Sequence, residues 1–119
     1  LVFIYGYPTK DKPFYVYPDP KNPKVNQGID LLCNGVEWLS GGRRINDYKQ
    51  LTDHVKKWKI DKNKISMFLE AFKYGAPPEG GFAFGAERIT MQILKLNNIR
   101  QACMFPRDMK RIDKRLSKS

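Results

Sequence analysis

The sequence predicts an α+β domain built on an antiparallel β-sheet with flanking helices. Short apolar, β-prone runs, separated by proline and Asn-Gly signals, crowd the first forty residues. Two stretches with apolar residues at helical spacing follow, Tyr48-Leu51-Val55-Trp58 and Ile65-Phe68-Leu69-Phe72. A Gly-rich strand leading straight into a third helical pattern comes next. Strands, then two helices, then strand and helix is a segregated α+β order rather than a strand–helix alternation.

Taken in order, residues 1–5 form an apolar run that opens with neither a methionine nor a capping residue, as if in mid-structure. Tyr7-Pro8 closes it, and residues 12–17, KPFYVY, read as a second strand. Pro18, Pro20 and Pro23, with Asn22 and Asn26, set an extended loop. Residues 29–33 and 36–39 are further strands, joined at Asn34-Gly35, a dipeptide suited to a tight hairpin. Asp47 is a good N-cap for the first helix, and Gly75 with Pro77-Pro78 stops the second. Residues 80–84 are the last strand, and residues 88–96, with Ile89, Ile93, Leu94 and Leu96, the last helix.

Composition bounds the chemistry. One hundred and nineteen residues suit a single compact unit, and 41% hydrophobic with 13% aromatic content suffices for a core. A net charge of +10 suggests a polyanionic partner, although Lys and Arg are spread along the chain. The densest run, residues 107–118, reads as a solvated tail or as a contact to a nucleic-acid backbone. Cys33 and Cys103 make neither a metal site nor a disulfide framework; in apolar runs they read as buried free thiols, which suits a reducing compartment. No apolar stretch approaches the ~18 residues of a membrane span, so a soluble, cytoplasmic protein without a membrane partner is expected. His54 is the only histidine, which removes histidine-rich metal chemistry; beside Lys56 and Lys57 it reads as solvated.

Residues 80–88, GGFAFGAER, hold the densest chemical signal: a strand turning into a helix with Arg88 in its first turn. Backbone N–H groups and the positive end of the helix dipole favour an anion there, and a guanidinium adds a planar donor fork suited to phosphate. The nonapeptide resembles motif 3 of the class II aminoacyl-tRNA synthetases, where the arginine holds ATP. Its flanks, Phe72-Lys73-Tyr74-Gly75-Ala76-Pro77-Pro78 before and Asn98-Ile99-Arg100 and Phe105-Pro106-Arg107-Asp108 after, resemble the aspartyl-tRNA synthetases of archaeal and eukaryotic type. So does the block from Asn34 to Tyr48, NGVEWLSGGRRINDY, which is similar to that family's segment between motifs 2 and 3.

The resemblance implies part of the class II catalytic-domain fold and aspartate–tRNA ligase chemistry. L-aspartate is activated by ATP to aspartyl-adenylate with Mg²⁺ and passed to tRNA(Asp), by an enzyme that is a homodimer when complete. Motifs 1 and 2 and an anticodon-binding domain have no counterpart in residues 1–119, which are therefore expected to be the C-terminal part of the catalytic domain and inactive alone. The asparaginyl enzyme, or a truncated, non-catalytic module that binds tRNA or nucleotide, are the alternatives.

Individual residues follow. Glu37 is an acid in a strand-like apolar run, pointing by alternation away from Val36 and Trp38 and sharing a face with Leu39. It calls for a partner, either Mg²⁺–ATP or a basic side chain. Ser40 offers a hydroxyl to a metal or a substrate. Arg44 lies seven residues from Glu37, an odd separation, and a bulge at Gly41-Gly42 would return it to the Glu37 face. The resemblance assigns Glu37 and Ser40 to Mg²⁺, with Glu37 also binding ATP and Ser40 lying beside the aspartate. It assigns Arg44 to the aspartate side-chain carboxylate, and Gly85, Ala86, Glu87 and Arg88 to ATP. Arg88 and Arg44 are the two expected to carry catalysis. Three residues depart from the family pattern: Glu79 and Asn46, where histidine is usual, and Arg43, where an uncharged residue is usual and which reads as facing solvent or tRNA.

Overall fold

The computed structural model describes residues 1–107, divided between two compact units at Ala83 and Phe84. The end of the Phe105–Asp108 block and the basic run beyond Arg107 lie outside the described residues.

The first unit holds all but the last residue of a four-stranded sheet in sequential order, β1 (Val2–Tyr5), β2 (Gly28–Cys33), β3 (Val36–Arg43) and β4 (Gly80–Phe84). The pairs β1–β2 and β2–β3 are antiparallel. At the hairpin between β2 and β3, Asn34 (φ 48°) and Gly35 (φ 78°) are both left-handed, as a two-residue type I′ turn demands. β3 runs to Arg43 because Ile29 and Gly28 go on pairing with Gly41 and Gly42. Gly41 is required where β4 approaches: a Cβ there would stand 2.6 Å from both the Gly81 carbonyl oxygen and Phe82 Cβ.

Residues 12–17 do not form the expected strand. Val16 N–H bonds back to the Pro13 carbonyl, curling the segment into a turn. Beyond it only Val16 bridges Arg44, with Tyr17 N–H donating to Arg43 and Ile45 N–H to Tyr15. Proline at 13 and again at 18 leaves too few consecutive donors for a ladder.

Two helices, α1 (Tyr48–Lys57) and α2 (Ser66–Lys73), cover the core. The Asp47 carboxylate accepts from Gln50 N–H at 2.7 Å, capping α1 as its position predicts. Past α2 the chain turns at Gly75 (φ 100°). Ile45, Leu51, Val55, Leu69 and Phe72 form the buried cluster, and Phe14, Tyr15 and Tyr17 of the curled segment pack against it. Each fully buried aliphatic chain here contributes about 1.5–3 kcal/mol, so the helices anchor residues 14–17, and those residues in turn reach the sheet.

The second unit contains α3 (Ala86–Ile93) and a 3₁₀ turn over Ile99–Ala102, where the Asn98 side chain accepts from Arg100 N–H at 3.0 Å. α3 starts two residues before Arg88 and ends at Ile93, short of the expected Leu96, because Lys95 adopts a left-handed φ of 53°. Cys33 and Cys103 are outside any disulfide, as expected, but half-buried rather than buried. Cys33 ends β2 beside the exposed hairpin turn, and Cys103 follows a 3₁₀ turn with no buried residue. Among the described residues no helix is long and apolar enough to cross a membrane.

Candidate functional site

The organising group of the first unit is Asp30, a buried acid in mid-β2. Lys12 Nζ donates to both of its carboxylate oxygens at 2.7 Å. Ser40, its cross-strand neighbour, donates through Oγ to Oδ1 at 2.7 Å. The Tyr7 phenol also donates to Asp30, and the Lys12 ammonium lies 4.1 Å over the Tyr7 ring. Burial alone would push the Asp30 pKa up, yet the donors Lys12, Tyr7 and Ser40 outweigh it and hold the carboxyl below its ordinary range. Tyr7 responds in the opposite sense. Its bond to Asp30, then burial, then the negative charges of Asp30 and Glu37 push the phenol up to about 12, so it stays a neutral donor.

The sequence reading missed Asp30, Lys12 and Tyr7. Asp30 carried a usable signal, an acid inside the apolar run Ile29-Asp30-Leu31-Leu32, the same pattern that drew attention to Glu37.

Glu37 does not share a face with Leu39. The ladder pairs Leu31 with Leu39 but Leu32 with Glu37, which makes Trp38 an extra residue on β3. The expected bulge exists, but at Trp38; at Gly41 and Gly42 the register is regular. One inserted residue turns Glu37 onto the face of Asp30 and Ser40, and plain alternation from Ser40 through Gly42 carries that face on to Arg44. The odd Glu37–Arg44 separation is therefore satisfied by a bulge at Trp38, upstream of the expected one at Gly41-Gly42. Lys12, Ser40, Gly42 and Arg44 line one cavity of 370 Å³.

Arg44 and Lys12 differ in how firmly their charges are matched. Lys12 is held by a buried partner at 2.7 Å, with side-chain exposures of 13% and 8%. Arg44 Nε lies 3.8 Å from Glu79 Oε1, with exposures of 44% and 50%, and its guanidinium stands 5.1 Å over the Tyr15 ring. A pair that long and that exposed is worth little, so Arg44, unlike Lys12, keeps charge to offer an incoming anion.

The remaining departures have structural partners. Asn46 Nδ2 donates to the Ala76 carbonyl at 3.1 Å, tying the end of β3 to the segment before β4. Arg43 is exposed, but rather than simply facing solvent its guanidinium stacks 3.9 Å over the Tyr17 ring. His54 is not solvated either. Its Nδ1 lies 3.1 Å from the Phe14 carbonyl, its ring stacks on Trp58 at 5.1 Å, and burial lowers its pKa.

Gly85, Ala86, Glu87 and Arg88 stand together at the start of α3 in the second unit. Gly85 occupies the N-cap position with no side-chain cap, so the first-turn N–H groups are not taken by a capping side chain. A Cβ at Gly85 would stand 3.2 Å from Arg88 Cδ, so the missing side chain makes room for the arginine stem. Among the described residues no three His, Cys, Asp or Glu side chains cluster as a self-sufficient metal site. Glu37 and Ser40, on one face, are oxygen donors of the kind that fits Mg²⁺ held by a carboxylate together with substrate phosphates, while Asp30 is committed to Lys12 and Ser40.

Residues 1–109 match the family described as tRNA synthetases class II (D, K and N). The aspartate–tRNA(Asp) ligase of Pyrococcus furiosus is 43% identical over 112 residues, covering 94% of this chain and 26% of that protein. Among solved structures, the aspartyl-tRNA synthetase of Entamoeba histolytica aligns with a TM-score of 0.81 at 34% identity, over 92% of this chain and 23% of that one. The asparaginyl-tRNA synthetase of Pyrococcus horikoshii aligns with a TM-score of 0.81 at 36% identity, over 92% and 27%. The chain thus spans about a quarter of the length of the curated relatives it matches.

Proposed function

The chain belongs to the class II tRNA synthetases (D, K and N), and from that premise we propose that it supplies the later half of the active site of an aspartate–tRNA ligase. On this reading residues 1–119 are the C-terminal part of the catalytic domain, and ATP, L-aspartate and tRNA(Asp) are the substrates of the whole enzyme, a homodimer. The observation that carries the proposal is the unequal matching of Lys12 and Arg44, two of the three cations that line the cavity. Asp30 fixes Lys12, while Arg44 is left beside a distant, exposed carboxylate. Arg44 then takes the substrate side-chain carboxylate through its donor fork, and a bidentate contact of this kind favours a planar acid over an amide. Ser40 lies on the same cavity wall, which supports reading it as a neighbour of the bound amino acid.

At the other end of the chain's chemistry, the first turn of α3 with Arg88 receives phosphate oxygens of ATP, and Gly85, Ala86 and Glu87 lie along the nucleotide. Mg²⁺ supplies charge neutralisation on the triphosphate, and Glu37 and Ser40, backed by Asp30, are the oxygens that would hold it. The aspartate α-carboxylate attacks the α-phosphorus, an O–P bond forms and pyrophosphate leaves. The tRNA 3′-terminal hydroxyl then attacks the activated carbonyl, with AMP as leaving group. Neither step demands a protein nucleophile, which suits a site made of arginines, carboxylates and a helix start.

Arg44→Leu in the synthetase polypeptide that carries this chain tests the reading. Losing a charge-assisted contact of about 1.5–3 kcal/mol should raise KM for aspartate in ATP–pyrophosphate exchange about 10- to 100-fold and leave KM for ATP little changed. Equal losses for both substrates would make Arg44 structural and end the assignment. The asparaginyl reading keeps one specific support: the Glu79 carboxylate beside Arg44 is an acceptor that an amide can use.

A further inference from the structure

The last residue before β4 has its place dictated by the backbone. Arg44 N–H donates to the Glu79 carbonyl at 3.0 Å, so whatever residue stands at 79 is strapped alongside Arg44. In this chain that residue is an acid, and its Oε1 reaches to 3.8 Å from Arg44 Nε. The other charged groups facing the Arg44 cavity are Lys12, already neutralised by Asp30, and Arg43, engaged with Tyr17. Glu79 is therefore the carboxylate paired with Arg44 in the described structure. Half exposed and beyond hydrogen-bond distance, it is displaceable, unlike Asp30.

We infer that Glu79 is a specificity-determining residue that competes with the substrate carboxylate for Arg44. The inference rests on Arg44 taking the aspartate side chain. An incoming aspartate must displace Glu79 or share the guanidinium with it, and the added negative charge opposes an acid while leaving an amide unpenalised. Glu79 thus weakens aspartate binding and narrows the margin by which aspartate is preferred over asparagine.

Pyrophosphate exchange in the synthetase polypeptide carrying this chain tests the inference at low ionic strength, with asparagine as competing inhibitor. Glu79→Gln should lower KM for aspartate two- to five-fold, the range an exposed ion pair of up to about 1 kcal/mol allows. KM for ATP should stay put, the inhibition constant for asparagine should not fall, and the gain should fade near ~0.5 M salt, where the Debye length is a few ångströms. Glu79→Asp, which keeps the charge on a shorter stem, should fall between the two. An unchanged or raised KM for aspartate in Glu79→Gln, or an equal shift for asparagine, overturns the inference. Arg44→Leu separates the two layers. If Arg44→Leu raises KM for aspartate and Glu79→Gln does nothing, only the role of Glu79 falls. If Arg44→Leu leaves KM for aspartate unchanged, the substrate assignment falls and takes this inference with it.

Discussion

Replacing Lys12 by methionine removes the one cation that matches the buried Asp30 and keeps an aliphatic stem beside Gly28. Attraction between unit charges at the observed 2.7 Å is about 6 kcal/mol at an effective dielectric constant of about 20. Part of that is already offset by the desolvation of both groups, and Tyr7 and Ser40 remain as donors to the carboxylate. The net loss should be about 3 kcal/mol, the low end of what breaking a buried pair costs. Urea unfolding at neutral pH should show it as a lower midpoint with an unchanged slope. Asp30 should simultaneously lose its main stabilising donor, so its pKa should climb and the acid-unfolding transition should move to higher pH. The sign follows from the present depression of the Asp30 pKa. That depression contributes stability fully present above the ordinary carboxylate pKa of 3.8 and lost as pH falls through the folded value. The double variant Lys12→Met/Asp30→Leu should regain part of the lost stability, because two apolar groups replace a pair whose desolvation was costly. A single-variant loss under 1 kcal/mol, or a double variant worse than the single, would refute the picture of Asp30 as the hub.

Two further perturbations probe other parts of the molecule. Arg88→Ala should cut aspartate-dependent ATP–pyrophosphate exchange about 10²- to 10³-fold, as expected on losing one preorganised charge contact in a closed site. Because Arg88 is exposed at the start of α3, far-UV circular dichroism should not change; near-normal exchange would remove the motif 3 assignment. Burial holds His54 below its ordinary pKa of 6.5, so the unfolded chain takes up that proton first, and this contribution to stability is lost as pH falls below 6.5 through the folded value. His54→Gln, which keeps a donor for the Phe14 carbonyl, should flatten the pH dependence of the urea midpoint between about pH 7.5 and 5.5, centred on the ordinary histidine pKa. An identical slope in both proteins would dismiss His54 as its source.

What the sequence made legible was local. Asn34-Gly35 is its own turn, Asp47 caps the helix that begins beside it, and the step from Gly85 into α3 needs only neighbours in the chain. What it hid depends on partners far along the chain. Residues 12–17 have strand composition, but their shape is set by Pro13 curling the backbone and by packing on the helix core. The bulge at Trp38 is visible only once β2 supplies a register, and alternation read along β3 alone gives the wrong face for Glu37. Lys12 and Asp30, eighteen residues apart, meet across a loop that no period describes. Ser40 was legible within β3 and Arg44 just beyond it, while Asp30 and Lys12, which hold that face together, lay on β2 and in the loop before it.

The bulge also explains how the chain builds a site from a short strand. Regular alternation over Val36–Arg43 offers one residue in two to a face, which would seat Glu37 with Leu39 and exclude it from Ser40. Inserting Trp38 shifts that phase once, upstream of Ser40, so an acid, a hydroxyl and an arginine fall on one surface within eight residues. The same face then receives a lysine from the preceding loop and an aspartate from the neighbouring strand. Those two neutralise each other in the buried layer, so the fixed pair holds the floor in place without attracting a ligand. The cation that can respond to a ligand is left at the rim, where its partner is distant and wet. On the proposed reading, a carboxylate substrate would meet a guanidinium whose existing contact is cheap to break, while the geometry beneath it is held by bonds that are not.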